Sequence, residues 1–183
     1  MSHKVLLNSK DLDLTITRLC WQLIENHDDF SQTVLIGMQP RGIFLAERIR
    51  QKIYELTGND SISLGTLDIT FFRDDFRRRG EPLAANRTEI NFLVENKQVI
   101  FIDDVLYTGR SIRAGLDAIG SFGRPMAIEL LVLINRRYSR DMPIEPKYIG
   151  KTVDTIASQK VLVQWKTDGS TEDKVSLLRS ENE

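Results

Sequence analysis

The sequence predicts an α/β fold, a central and mostly parallel sheet flanked by helices, in one domain over residues 1–183. Three observations predict it. Short apolar runs recur at residues 33–37 (TVLIG), 99–102 (VIFI) and 127–134 (AIELLVLI). They lack the strict polar alternation of a sheet with one wet face, as strands buried on both faces do. Segments with apolar residues at helical spacing lie between them, which gives the βαβ order of a parallel sheet with right-handed crossovers. At 183 residues and 41% hydrophobic, the chain suits a single core.

The first helix is marked by Leu12, Ile16, Leu19, Leu23 and Ile24, with Asp11 and Asp13 placed in its first turn, where the macrodipole favours acids. The strand at 33–37 ends in the breaker-rich turn Met38-Gln39-Pro40-Arg41-Gly42. Leu45, Ile49, Ile53 and Leu56 mark a second helix, stopped by Gly58-Asn59-Asp60. Residues 63–72 predict a long strand with Leu67, Ile69 and Phe71 on one face. Residues 73–91 are charged and aperiodic, and a loop of that length in a small domain is usually functional. After the strand at 99–102, Ile112, Leu116 and Ile119 predict a third helix. The strand at 127–134 is followed by an irregular stretch, 135–149, containing Pro143 and Pro146, and by a last strand at 161–165.

A formal charge of −1 does not imply a strongly basic nucleic-acid binder, although a local patch is compatible with it. The single cysteine, Cys20, excludes an internal disulfide and fits a reducing compartment. MSHKVLLNSK carries no signal-peptide apolar core, and no apolar run approaches a membrane span. The expectation is a cytoplasmic protein with no membrane contact.

Residues 99–111 (VIFIDDVLYTGRS) carry the most chemistry. A buried strand runs into Asp103 and Asp104, then into the turn Thr108-Gly109-Arg110-Ser111 and a helix. The turn's N–H groups and the helix N-terminus suit a phosphate. Acids so close to a phosphate site would repel the ligand, unless it also offers hydroxyls and brings its own cation. An acid pair alone reads equally well as solvated carboxylates after a strand; the run before it and the turn after it favour the ligand. In open sheets of this kind ligands bind beyond the carboxyl ends of the strands. Residues 38–42, 73–91 and 103–111 all fall at such ends.

The segment resembles the phosphoribosyl-diphosphate signature of type I phosphoribosyltransferases. IGMQPRGI (36–43), LDITFFRDD (67–75), DDVLYTGRSIRA (103–114), Gly123-Arg124-Pro125 and YIGK (148–151) extend the likeness to the family of pyrimidine operon regulators that double as uracil phosphoribosyltransferases. The resemblance spans about residues 33–165. It implies the type I fold, a mobile loop over the site and a small hood, placed at roughly 135–160, that selects the base. It also implies transfer of phosphoribosyl from phosphoribosyl diphosphate to uracil, giving UMP. Mg²⁺ would be bound mainly through substrate, with no metal ligands assigned in the chain. A homo-oligomer, dimer or tetramer, is implied as well.

Roles follow from the same resemblance. Leu106, Tyr107, Thr108, Gly109, Arg110 and Ser111 would hold the 5′-phosphate. Asp103 and Asp104 would bond the ribose hydroxyls, which requires the chain to have turned, because successive strand residues point opposite ways. Gln39, Arg41 and Gly42 would meet the diphosphate in a loop of a kind that often contains a cis peptide, which Pro40 makes accessible. Arg41 and Arg73 would take up the departing charge, with Arg77, Arg78 and Arg79 adding potential from a closing loop at 74–91. Tyr148, Ile149 and Lys151 would read the base. Asn135 stands where the family pattern leads us to expect an acid. Asp168 reads as a turn residue, or else as an outer Mg²⁺ group. Two alternatives stay open: a purine-base enzyme (hypoxanthine, guanine or xanthine) of the same fold, and a UMP-dependent RNA-binding attenuation protein with little catalysis. For RNA, the first helix offers only Arg18 and Trp21, and a second patch would comprise Arg136, Arg137, Arg140, Lys147 and Lys151. The near-neutral charge argues against tight RNA binding.

Overall fold

The computed structural model describes residues 3–70, 87–156 and 158–179. In chain order the elements are β1 (His3–Leu7), α1 (Ser9–His27), β2 (Thr33–Met38), α2 (Gly42–Thr57), β3 (Ser63–Leu67), β4 (Gln98–Leu106), α3 (Arg110–Ile119), β5 (Ala127–Arg137), β6 (Tyr148–Asp154), β7 (Gln159–Gln164) and β8 (Lys174–Arg179). Among the described residues the strands form two sheets. The larger is parallel throughout, in the order β3-β2-β4-β5-β6, and the smaller is antiparallel, in the order β1-β8-β7.

The apolar runs fill the centre of the large sheet. All six residues of β2 are buried, and Val99, Ile100, Phe101 and Ile102 of β4 are fully so. Each such side chain contributes about 1.5–3 kcal/mol relative to exposure. One face packs Ile100, Ile102 and Leu35 against α1 and α2, and this core continues into the small sheet through Val163, Trp165 and Val175. The other face packs Val99, Phe101 and Val34 against α3. Buried Cys20 belongs to the first core and is a free thiol.

Several elements differ from the sequence expectation. The strand predicted over 63–72 stops at Leu67, because Asp68 Oδ1 accepts from the Thr70 N–H at 3.1 Å and its hydroxyl at 2.6 Å, closing a turn. Phe71 and Phe72 lie outside the described residues. Leu116, predicted on the buried face of α3, is 41% exposed. Ile112 and Ile119 are buried as expected, and small residues fill the face between them: a Cβ on Gly115 would stand 2.5 Å from Met38 Cε. The strand at 161–165 is not the last, because β8 follows it. Of the segment expected to form the hood, residues 135–160, residues 135–137 end β5 and 148–154 form β6 of the large sheet, while 159 and 160 begin β7; the small sheet is built from β1, β7 and β8.

Order fixes where a ligand can bind. From β2 the chain goes to one side to form β3, then crosses to the other side to form β4, so the switch point of the sheet lies between β2 and β4. Their registers bring Gly37 level with Ile102. The turn at 38–42 and the acid pair therefore emerge side by side.

Candidate functional site

The acid pair is set by α2 as much as by β4. A Cβ on Gly42 would lie 2.3 Å from the Ile102 carbonyl oxygen and 3.0 Å from Asp103 Cα, so only glycine lets the start of α2 settle against the end of β4. That approach brings the helix N-terminus to Asp103, whose Oδ1 would be 3.2 Å from the same Cβ. The expected turn of the chain between the two acids is not found. β4 runs on as a strand to Leu106. The side chain of Asp103 curls instead, with its Oδ1 accepting from the Asp104 N–H at 2.9 Å. Asp104, 8% exposed, accepts from Arg41 Nε at 3.0 Å.

Burial, and then the neighbouring Asp104 charge, push the Asp103 carboxyl well above the usual carboxylate range. Burial raises Asp104 too, and the Arg41 guanidinium draws it part of the way back. Such a pair favours partners that supply protons or positive charge: sugar hydroxyls, a cation, or an electron-poor carbon.

The expected phosphate turn opens α3. Gly109 is its N-cap at φ 88°, a left-handed conformation suited to glycine, and supplies no side-chain cap; the Arg110 N–H makes a long bond to Thr108 Oγ1, 3.4 Å. N–H groups of the first turn have no acceptor within a helix, so this end offers donors to an anion. The start of α2 is also uncapped, and neither helix has an acid in its first turn. Leu106 is buried in the α3-side core, so only its backbone could serve the loop. Tyr107 and Thr108 are held from behind: the Asp141 and Met142 N–H groups donate to Thr108 O at 2.9 and 3.1 Å. Arg140 donates to Tyr107 O, and the Arg136 guanidinium lies 3.8 Å over the Tyr107 ring. Arg110 Nε donates to Asp141 Oδ2 at 2.9 Å.

In the turn at 38–42 the Gln39–Pro40 peptide is cis, and Gln39 N donates to Leu67 O at 2.9 Å. Arg41 is tied down more than its sequence suggests: beyond Asp104, it donates to Val163 O and stands 3.5 Å from Asp168 Oδ2. Asp168 does form a turn, accepting from Ser170, and it also faces Arg41. Arg73, Arg77, Arg78, Arg79 and residues 74–86 lie outside the described residues. The flanks of that segment meet at β3, where Thr66 and Glu89 exchange backbone hydrogen bonds of 2.9 and 3.0 Å.

The base-reading trio is dispersed. Tyr148 is buried, and its hydroxyl donates to Glu129 Oε2 at 2.8 Å and lies 2.9 Å from His27 Nε2, so it serves the core rather than an open site. Lys151 donates to Leu6 O at 3.0 Å. Ile149 pairs with Val132, which pairs with Asp103, so it stands level with the acid pair two strands away. Arg18 binds the carbonyls of Ile149 and Gly150. Sequence reasoning missed Val163 and the 140–142 brace, because each acts through a backbone group far away in the chain.

Comparison with known proteins agrees with this geometry. Residues 3–168 match the phosphoribosyl transferase domain. The chain is 38% identical to the bifunctional protein PyrR of Elusimicrobium minutum over 99% of both chains. It is 42% identical to that of Fusobacterium nucleatum, over 95% of this chain and 97% of the relative, and 39% identical to that of Bacillus subtilis, over 87% and 88%. Among solved structures, a hypoxanthine phosphoribosyltransferase of Staphylococcus aureus superposes with a TM-score of 0.72 at 20% identity, covering 97% of this chain and 93% of that one. That of Trypanosoma cruzi gives 0.71 at 12% identity, covering 97% of each. An acid pair beside two open helix ends at the switch point of a parallel sheet thus has its counterpart in sequence: the chain belongs to the phosphoribosyltransferase domain family and, within it, to the PyrR proteins.

Proposed function

We propose that this chain transfers the phosphoribosyl group of phosphoribosyl diphosphate to uracil, releasing diphosphate and forming UMP. The observation that carries the reading is the buried Asp103–Asp104 pair, gripped by Arg41 and set between the open N-termini of α2 and α3. The N-terminus of α3, with Thr108, Gly109, Arg110 and Ser111, binds the 5′-phosphate. Asp103 and Asp104 take the ribose hydroxyls. Gln39, Arg41 and Gly42 face the diphosphate, and Arg73 joins them from the loop.

As the bond from C1 to the diphosphate oxygen lengthens, the ribose becomes cationic and the leaving group more anionic. Asp103 and Asp104 then attract the ring more strongly than in the ground state, and the α2 N-terminus with Arg41 attracts the diphosphate. The chain needs no nucleophile of its own. Among the described residues no cluster of three or more His, Cys, Asp or Glu side chains could hold a metal. The two carboxylates fit a hard cation that arrives on substrate oxygens, and Mg²⁺ bound that way would screen the diphosphate.

For the base, the backbone of β6 at Ile149 lies at the level of Asp103, about 10 Å across two strand spacings. Ile149 and Lys151 present that backbone, with Tyr148 supporting it from the core. The test is a panel of bases with labelled phosphoribosyl diphosphate. Turnover of uracil alone supports the reading; turnover of hypoxanthine, guanine or xanthine in its place makes the chain a purine enzyme.

The relatives are named bifunctional, which favours a second activity: UMP-dependent binding of pyrimidine-operon leader RNA. Against a tight complex stand the partners of the basic side chains. Arg137 pairs with Asp154, Lys147 with Glu129, and Arg18 and Lys151 with backbone carbonyls. We expect weak, salt-sensitive RNA retention in filter binding; tight UMP-dependent retention overturns that. A homo-oligomer would find exposed apolar groups on α1, where Leu14 and Trp21 are 58% and 46% exposed. No helix among the described residues is long and apolar enough to cross a membrane, and we assign the activity to the cytoplasm.

A further inference from the structure

Arg41 serves three elements at once. It is the N-cap residue of α2, its Nε donates to Asp104 on β4, and its Nη2 donates to Val163 O on β7 and stands 3.5 Å from Asp168 Oδ2 beyond β7. Its Nη1 has no partner among the described residues, and the side chain is 40% exposed. Half of the guanidinium is therefore open to a ligand, and half is held by the protein. Asp168 is itself fixed for this contact. Its Oδ1 accepts from the Ser170 N–H at 3.2 Å and hydroxyl at 2.6 Å, leaving Oδ2 turned to Arg41. The hydrogen bond from Ser170 also holds the Asp168 carboxyl below its usual range, which keeps it ionised.

Building on the transferase reading above, we infer that Asp168 is a positioning residue that competes with diphosphate for the guanidinium of Arg41. A guanidinium given wholly to diphosphate would bind substrate and released product alike, and uniform binding of that kind does not speed the chemical step. A carboxylate on the far side of the same guanidinium weakens the grip on both. Because the carboxylate sits on the small sheet's connection, it also sets where Arg41 stands relative to Asp104.

The test uses the full chain, with inorganic diphosphate as probe in the presence of Mg²⁺, both as a product inhibitor and in calorimetric titration. Asp168→Asn keeps an oxygen for Ser170 and removes only the charge. The expected result is a fall of about two- to fivefold in the inhibition constant for diphosphate and in KM for phosphoribosyl diphosphate, the scale of a partly exposed ion pair. Asp168→Glu restores the parent values. Ser170→Ala spares the charge and keeps the Ser170 N–H that donates to Oδ1, so both constants stay unchanged. In an Arg41→Gln background, Asp168→Asn has no further effect, as coupling through Arg41 demands. A rise in KM together with a higher Mg²⁺ requirement in Asp168→Asn overturns the inference in favour of a cation-assisting role. Unchanged constants, or a Ser170→Ala variant that copies Asp168→Asn, overturn it in favour of a turn residue only. If the parent chain binds diphosphate but turns over no base, the transferase reading falls, and the calorimetric shift alone decides the role of Asp168.

Discussion

Helix α1 opens with its own cap: Asn8 accepts from the Asp11 N–H at 3.0 Å, and Asp11 places a negative charge in the first turn. Helices α2 and α3 open without either device, and the N-cap of α3 is a glycine. A cap contributes about 1 kcal/mol, and an acid in the first turn a few tenths more. The two helices that leave these contributions unmade are those that start at the switch point of the large sheet. The helix that makes them starts beside the small sheet. Donors satisfied by the chain stabilise it, and donors left open are there for something else to satisfy.

The strongest way to break this comparison is to remove the charge that the open ends surround. Asp103→Asn combined with Asp104→Asn is expected to lower turnover about a hundredfold or more, the scale of losing electrostatic support for a transition state. Circular dichroism should show the fold retained, and turnover at the parent rate would refute the role. Gly42→Ala comes next. Its Cβ meets backbone at 2.3 Å, so α2 must back away from β4. A loss of about 1–3 kcal/mol in chemical unfolding is expected, with activity falling alongside.

A smaller effect sharpens the contrast between capped and open ends. Ser111→Asp gives α3 the acid that α1 already has, so the helix should gain about 0.3–1 kcal/mol while KM for phosphoribosyl diphosphate rises about tenfold. Asn8→Ala should do the reverse, losing about 1 kcal/mol with kinetics unchanged. Equal kinetic effects at the two ends would dissolve the distinction. The smallest expected effect is on stability alone. Asp103 has a raised folded pKa, so its favourable contribution is full below the unfolded value and lost as pH rises through the folded one. Asp103→Asn does not titrate and keeps an oxygen for the Asp104 N–H. Its melting temperature should exceed the parent's near neutral pH, by a margin that shrinks on acidification.

Much of the large sheet was legible because its evidence is local. The run at 99–102 needs no partner to be recognised as buried on both faces, and the breakers at 38–42 sit where β2 ends. Strands β1 and β8 escaped because HKVLL and KVSLLR are short and partly charged, and their order comes from pairing His3 with Leu178 at the far end of the chain. Ile112 and Ile119 of α3 were placed correctly, but Leu116 was not, because spacing finds large residues and the middle of this helix packs through Ala114, Gly115 and Ala118. Asp103, Asp104 and the glycines of the site could be picked out from motif and turn chemistry. The hold of Val163 O and Asp168 on Arg41 could not, since a carbonyl 122 residues away leaves no mark in composition or periodicity. Tyr148 was assigned to the base through the YIGK resemblance, and its engagement with His27 and Glu129 is visible only in three dimensions.

The small sheet bears on how the molecule is made. β8 lies between β1 and β7, so the first and the penultimate strands have no common neighbour until the last is synthesised. Every strand of the parallel sheet precedes residue 155, whereas β7 and β8 follow it. The carbonyl that seats Arg41 belongs to Val163 on β7. The strand that carries that carbonyl is paired on its long edge by β8, so the seat of Arg41 depends on residues 174–179 as well as on its own neighbours.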